Sequence, residues 1–142
     1  MNSDSQPLSG EHAENAQPFF EEGVAAGFPS MAIGELTGTL NLNTLCVRHP
    51  ATTYFVRARG DSMTGAGIDD GDILVVDRSL QPRSGQIIIA AIEGEFTVKR
   101  LICRGERMFL QPENPNYSPR LLSQDEVNEF FGVVTWILKA AK

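Results

Sequence analysis

The residues that could do chemistry in this chain converge on one short stretch, Gly60-Asp61-Ser62-Met63, and on one distant residue, Lys99. A run rich in β-forming residues, 53–59, leads into Gly60. Glycine adopts backbone angles that are closed to other residues, so a sharp turn forms readily there. Such a turn places Ser62 at the end of a strand, with nearby backbone N–H groups free to point outward. Free donors of this kind can form an oxyanion hole.

A serine needs a partner that accepts its proton before it becomes a strong nucleophile. Neither of the two histidines suits this role, because His12 lies in a polar segment and His49 in a predicted loop. Of the three lysines, Lys139 and Lys142 lie near the C-terminus, whereas Lys99 lies inside an apolar, β-branched run. Burial lowers the pKa of a lysine, so a desolvated lysine can be neutral near neutral pH. The sequence therefore favours Lys99 as the base.

The environment of Lys99 decides whether it can serve as that base. Alternation in the predicted strand puts Thr97, Lys99 and Leu101 on one face. A lysine on the wet face of a half-exposed strand is the commoner arrangement. Leu101 and the apolar run Ile87–Ile92, which precedes this strand, indicate instead that both faces are partly covered. From the pattern alone, both alternatives stay open.

Three stretches resemble one known family: Gly60-Asp61-Ser62-Met63, Gly71-Asp72, and Gly94-Glu95-Phe96-Thr97-Val98-Lys99-Arg100. They are similar to the self-cleaving LexA/UmuD family of serine–lysine peptidases, and most of all to its UmuD branch. The likeness runs from about residue 27 to the C-terminus. It implies that Ser62 is the nucleophile and Lys99 the general base, with the backbone N–H groups of Asp61 and Ser62 as the oxyanion hole. It also implies a scissile bond between Ala26 and Gly27.

The same resemblance implies a biological setting. Proteins of the UmuD branch are accessory subunits of an error-prone DNA polymerase. The expected activator is a RecA filament on single-stranded DNA, and the trimmed chain is expected to form a homodimer. This dimer would join a UmuC-like Y-family polymerase in SOS mutagenesis, for synthesis past DNA lesions. No cofactor and no metal are expected.

The segment around the implied scissile bond, Gly23–Pro29, consists mainly of small residues, and Pro29 biases its neighbour away from helix. A peptide in a protease groove must be extended, with small side chains near the bond that is cut. A plain linker has the same composition, so the composition by itself does not separate the two interpretations. We therefore predict a flexible acidic arm over residues 1–26 and a peptidase domain over residues 27–142.

Many short strands separated by Gly/Pro turns predict a mainly β fold, with short, strongly twisted sheets of the LexA/UmuD type. The predicted strands cover residues 54–58, 73–76, 86–92, 96–102, 108–110 and 131–138, with a hairpin around Glu93-Gly94. Residues 1–18 are polar and acidic, which is typical of a disordered segment. Residues 36–47 are ambiguous between a strand and a helical turn.

Charge and composition exclude several classes of function. All of the net charge of −6 arises in the first third of the chain, because twelve Lys/Arg and twelve Asp/Glu lie from Arg48 onward. This balance argues against direct sequence-specific DNA binding, which needs clustered cations. Cys46 and Cys103 are predicted to be reduced thiols. Asp69, Asp70 and Asp72 lack the full calcium-loop pattern and are interpreted as turn residues. No apolar run suits a membrane span or an export signal, so a cytoplasmic location is expected.

Three other functions are compatible with parts of this sequence. A LexA-type repressor needs a DNA-binding helix-turn-helix before the cleavage site, and the 26 residues there carry no basic helix. A signal peptidase with the same two catalytic residues needs a membrane anchor. A non-catalytic β-domain that serves only as a polymerase scaffold is the strongest rival, because its surfaces could bind partners whether or not cleavage occurs.

Overall fold

The computed structural model describes residues 15–21, 38–126 and 130–142. These residues belong to two compact units, divided between Arg48 and His49. The predicted boundary between residues 26 and 27 lies outside the described residues, as do residues 1–14 of the segment that was predicted to be disordered.

Within its described residues, the first unit contains two short strands and a short helix that follows them. Strand β1 (Gln17–Phe19) pairs antiparallel with β2 (Gly38–Leu40), so the last two residues of the predicted disordered segment belong to a strand. Helix α1 (Leu42–Cys46) follows, and the Asn41 side chain caps it by accepting a 3.0 Å hydrogen bond from the Thr44 N–H. The described part of the ambiguous segment 36–47 therefore contains both predicted alternatives, a strand and then a helix whose first turn is stabilised by asparagine at its N-cap.

The second unit is a seven-stranded antiparallel sheet, which confirms the predicted mainly β fold. Its strands run in the order β3-β4-β9-β5-β6-β7-β8. Their bounds are β3 Thr53–Arg57, β4 Ile73–Asp77, β5 Ile87–Ile92, β6 Glu95–Arg104, β7 Arg107–Gln111, β8 Arg120–Leu121 and β9 Phe130–Leu138.

The predicted strands and the predicted hairpin are present, with differences at their ends. The β5–β6 hairpin turns at Glu93-Gly94, where both residues have positive φ. Strand β6 extends two residues beyond its predicted end, because Cys103 and Arg104 pair with β7. The two-residue strand β8 and the short 3₁₀ helices Pro50–Thr52 and Thr64–Ala66 were not predicted.

The C-terminal strand β9 lies between β4 and β5, and its pairing with each neighbour contains one irregularity. A Cβ atom at Gly132 would lie 2.5 Å from Val76 Cγ1, so only glycine permits this close approach. Gly132 has φ 141°, which is also costly for other residues.

Two clusters of buried side chains hold the sheet together. The first packs side chains of β4 and β5 against the segment that carries Ser62. It contains Ala58, Met63, Ile68, Leu74, Val76 and Ile89. The second lies around β5 to β7 and contains Ile88, Ala90, Leu101, Leu110, Leu122 and Val133. Because Ile88 and Ile89 belong to different clusters, β5 is covered on both faces. Strand β5 pairs with β6, and its Ile88 lies opposite Lys99. This covered strand therefore contributes to the partial burial of Lys99.

Candidate active site

Ser62 lies in a turn that follows strand β3, five residues beyond the strand end rather than at the end itself. The chain leaves β3 through Ala58, whose N–H donates to the Asp72 carbonyl and whose carbonyl accepts from the Gly71 N–H, both at 2.8 Å. Gly60 then adopts φ 87°, as the sequence predicted for a sharp turn. Its N–H donates to Asp70 Oδ1 at 2.7 Å. Two of the acidic residues that were predicted to act in turns, Asp70 and Asp72, therefore help to hold the segment that leads to Ser62.

Lys99 lies beside Ser62 although 37 residues separate them in the chain. Its Nζ is 3.2 Å from Ser62 Oγ and 2.7 Å from Thr97 Oγ1. Lys99 is partly buried, and desolvation lowers the pKa of its ammonium group. Among the described residues, no carboxylate forms an ion pair with Lys99. Without such a carboxylate, little opposes the neutral amine, which is the form that can accept a proton from Ser62.

The two backbone N–H groups that were predicted to form an oxyanion hole belong to this turn. Within the described part of the chain, neither the Asp61 N–H nor the Ser62 N–H donates a hydrogen bond. The carbonyls of the same residues are occupied, because Asn114 Nδ2 donates to the Asp61 carbonyl at 2.7 Å and the Glu113 N–H donates to the Ser62 carbonyl at 2.8 Å. The turn is therefore fixed through its carbonyls while its N–H groups remain available.

A cleft of about 570 Å³ opens beside Ser62 and Lys99. Much of its surface is apolar. Among the described residues, the side chains with a fixed charge that line it are cationic: Arg57, Arg59 and Arg78. None of the three arginines forms an ion pair with a described carboxylate. Such a cleft favours an extended peptide that carries negative charge. Ala26 and Gly27, the predicted cleavage site, lie outside the described residues.

The other basic candidates have different partners. The ring of His49 contacts Asp77 Oδ2 through Nδ1 at 2.6 Å, and Asp77 also accepts hydrogen bonds from Thr52 and Ser79. Lys139 forms ion pairs with Asp69 and Asp72. His12 lies outside the described residues. Of the lysines and the described histidine, Lys99 is the residue that contacts Ser62.

Several contacts of the site were missed by the sequence analysis. The sequence placed Thr97 on the same face as Lys99, because residues two apart on a strand share a face, but its hydrogen bond with Lys99 was not predicted. Glu113, Asn114 and Tyr117 gave no such signal, since they lie between the predicted strands 108–110 and 131–138. Tyr117 Oη donates to Asp61 Oδ1 at 2.5 Å, so this loop contacts the catalytic turn from across more than fifty residues of sequence.

Other kinds of site find no support in the described residues. No group of three or more His, Cys, Asp or Glu side chains there could hold a metal ion. Cys46 and Cys103 are free thiols. None of the helices in the described ranges has the length and apolar character needed to cross a membrane.

Comparison with known proteins matches residues 18–135 to the family described as Peptidase S24-like. The chain is 47% identical over 128 residues to Protein MucA of Salmonella typhimurium, covering 89% of this chain and 87% of that protein. It is 45% identical over 122 residues to Protein ImpA of Shigella flexneri, covering 86% and 83%. It is also 39% identical over 117 residues to LexA repressor 2 of Pseudomonas syringae pv. tomato, covering 82% of this chain and 57% of the repressor.

Proposed function

This chain belongs to the Peptidase S24-like family of serine peptidases, and we propose that it cleaves itself between Ala26 and Gly27 with Ser62 as nucleophile and Lys99 as general base. The observation that carries the proposal is the 3.2 Å contact between Lys99 Nζ and Ser62 Oγ. Membership of the family confirms the resemblance drawn from the sequence. The roles of the individual residues and the position of the cut are our assignments.

The reaction is acyl transfer in two steps. Neutral Lys99 accepts the Ser62 proton while Ser62 Oγ attacks the carbonyl carbon of Ala26. The N–H groups of Asp61 and Ser62 donate to the oxyanion that forms. When the C–N bond breaks, the Lys99 ammonium protonates the amine of Gly27. Lys99, neutral again, then activates a water molecule that hydrolyses the ester between Ser62 and Ala26.

Charge complementarity supports docking of the acidic arm in the cleft. Residues 1–26 carry five acidic residues and no Lys or Arg, whereas the charged residues lining the cleft are cationic. Two glutamates, Glu21 and Glu22, precede the proposed scissile bond by only a few residues. Attraction between an acidic peptide and a basic cleft raises the population of the docked state and weakens as salt is added.

Processing serves error-prone DNA synthesis in this proposal. A RecA filament on single-stranded DNA favours the docked arm, and the trimmed chain, as a homodimer in the cytoplasm, joins a Y-family DNA polymerase in SOS mutagenesis. Removal of residues 1–26 changes the formal charge from −6 to −1, which eases approach to a polymerase on polyanionic DNA. Phe55 and Trp136 are exposed and both pair with Val75 in the sheet, and we assign the homodimer contact to these two apolar side chains.

Incubation of the purified full-length chain at pH 9–10, followed by mass spectrometry, tests the proposal. A product that begins Gly-Phe-Pro-Ser is expected, and Ser62→Ala protein is expected to stay intact. Ala26→Asp protein should resist cleavage, because a charged side chain replaces the small one beside the scissile bond. Wild-type protein that stays intact in alkali and with RecA on single-stranded DNA would favour the rival function, a non-catalytic polymerase scaffold.

A further inference from the structure

The oxyanion hole is oriented by a loop that lies far from it in sequence. The Ser62 N–H and the Asp61 carbonyl are the two ends of one peptide unit. A trans peptide is planar, so its N–H and C=O point in opposite directions. A group that fixes the direction of the Asp61 carbonyl therefore also fixes the direction of the Ser62 N–H.

Asn114 is that group. Its Nδ2 donates to the Asp61 carbonyl at 2.7 Å. Its Oδ1 accepts from the Asn116 N–H at 2.9 Å, which sets the side-chain amide so that the donor faces Asp61. Asn114 also accepts at its carbonyl from the Tyr117 N–H at 3.1 Å. The side chain is thus held at both ends, and its direction does not depend on substrate.

The residue before Asn114 anchors the loop to the catalytic turn. The Glu113 N–H donates to the Ser62 carbonyl at 2.8 Å, and the Glu113 carbonyl accepts from the Gly65 N–H at 2.7 Å. A Cβ atom at Gly65 would lie 2.6 Å from that carbonyl oxygen, so the approach requires glycine. Arg100, the neighbour of Lys99 on β6, pairs with Glu113 Oε2 through Nε at 2.5 Å.

We propose that Asn114 is a positioning residue for acyl transfer, which holds the Asp61–Ser62 peptide so that its N–H donates to the oxyanion. Asn114 does not touch the reacting atoms. Its hydrogen bond to the Asp61 carbonyl also polarises the same peptide, which strengthens the N–H as a donor. This inference rests on the proposed role of Ser62. It assigns a function to a loop that contributes no reacting group.

Two rates on the full-length chain test it: self-cleavage, and phosphonylation of Ser62 by a fluorophosphonate probe. In the probe reaction, Ser62 Oγ bonds to phosphorus, fluoride leaves and Lys99 takes the proton. The developing phosphonyl oxygen occupies the same hole. For Asn114→Ala we expect both rates to fall by about tenfold or more, though less than the ~10²–10³-fold that follows loss of an oxyanion donor itself. The pH at which the rates are half-maximal should not change, because Lys99 keeps its surroundings.

Asn116→Ala is the matched control, because Asn116 contributes its backbone N–H to Asn114 and alanine keeps that group. It should label and cleave at the wild-type rates. Asn114→Leu removes the donor with an uncharged side chain of similar size, and it replaces the alanine variant if the latter fails to fold. A folded Asn114 variant with wild-type rates, or one whose half-maximal pH moves with its rate, overturns the inference. Wild-type protein that does not label at Ser62 overturns the proposed function first, and the inference with it.

Discussion

Lys99 Nζ lies 3.2 Å from Ser62 Oγ, and the one other side chain to which it donates in the described residues is Thr97. The base therefore contacts two hydroxyls and no carboxylate. A carboxylate at this place would stabilise the ammonium form and raise the pKa of Lys99, which would oppose its use as a base. In this arrangement, burial is the main influence on the pKa of Lys99, and it lowers that pKa.

Removal of either proposed catalytic side chain should abolish processing. Ser62→Ala removes the nucleophile, and Lys99→Ala removes the proton acceptor, so each variant should lose more than about 10³-fold in rate because the two groups act as a unit. Lys99→Arg is the matched control for charge, since a guanidinium cannot be deprotonated in proteins and should be equally inactive. Cleavage is followed by mass spectrometry and folding by circular dichroism. Folded Lys99→Ala protein that cleaves at the wild-type rate would remove lysine from the mechanism.

Self-cleavage without an activator should accelerate as pH rises from neutral. Burial lowers the pKa of Lys99, so the neutral, active amine becomes populated below the ordinary lysine pKa of ~10.4. The rate should rise with pH and reach half of its maximum below that value. Initial rates between pH 7 and 10.5, with folding checked at each pH, give the profile. A flat or falling rate across this range would contradict a lysine base.

Thr97 should tune both the rate and its pH dependence. Thr97→Val removes the hydroxyl that accepts from Lys99, and a hydrogen bond to a charged group contributes ~1.5–3 kcal/mol, so the maximal rate should fall by about 10- to 100-fold. The same bond favours the ammonium form, so its loss lowers the pKa of Lys99 and moves the profile to lower pH. Thr97→Ser keeps the hydroxyl and should resemble wild type. A valine variant with an unchanged rate and profile would mean that Thr97 only packs.

Asp77 should stabilise the fold in a pH-dependent way. Burial alone raises the pKa of this carboxyl, but hydrogen bonds from His49, Ser79 and Thr52 outweigh burial and lower it well below its usual range. A lowered folded-state pKa contributes stability above the unfolded value of ~3.9, and that stability is lost as pH falls below it. Asp77→Asn should therefore melt at a lower temperature than wild type at pH 7, with the difference shrinking below about pH 4.

Melting temperatures from pH 3 to pH 7 measure this difference. Exposed Asp125 provides the control, and Asp125→Asn should follow the wild-type curve throughout. An Asp77→Asn difference that stays constant down to pH 3 would show that packing, rather than charge, accounts for the effect.

The sequence by itself determined the parts of this protein that depend on local chemistry. Gly60 marked the turn that carries Ser62, because few other residues adopt its backbone angle. Alternating apolar residues located the main strands, since side chains alternate between the faces of a sheet. Lys99 emerged from a comparison of the few basic residues that could be desolvated. Family resemblance then assigned the roles of Ser62 and Lys99.

Only the tertiary structure decided which distant groups meet these residues. The order of strands inserts β9 between β4 and β5 and folds the 112–119 loop onto the Ser62 turn. Nothing local in Asn114 or Tyr117 reveals a contact with Asp61, because such contacts depend on how all the strands pack together. Likewise, Arg57, Arg59 and Arg78 are dispersed in a segment with balanced charge and become one cationic cleft only when the chain folds. The backbone preference of a residue depends on its own type and its neighbours in sequence, whereas the surroundings of a site depend on how the whole chain packs.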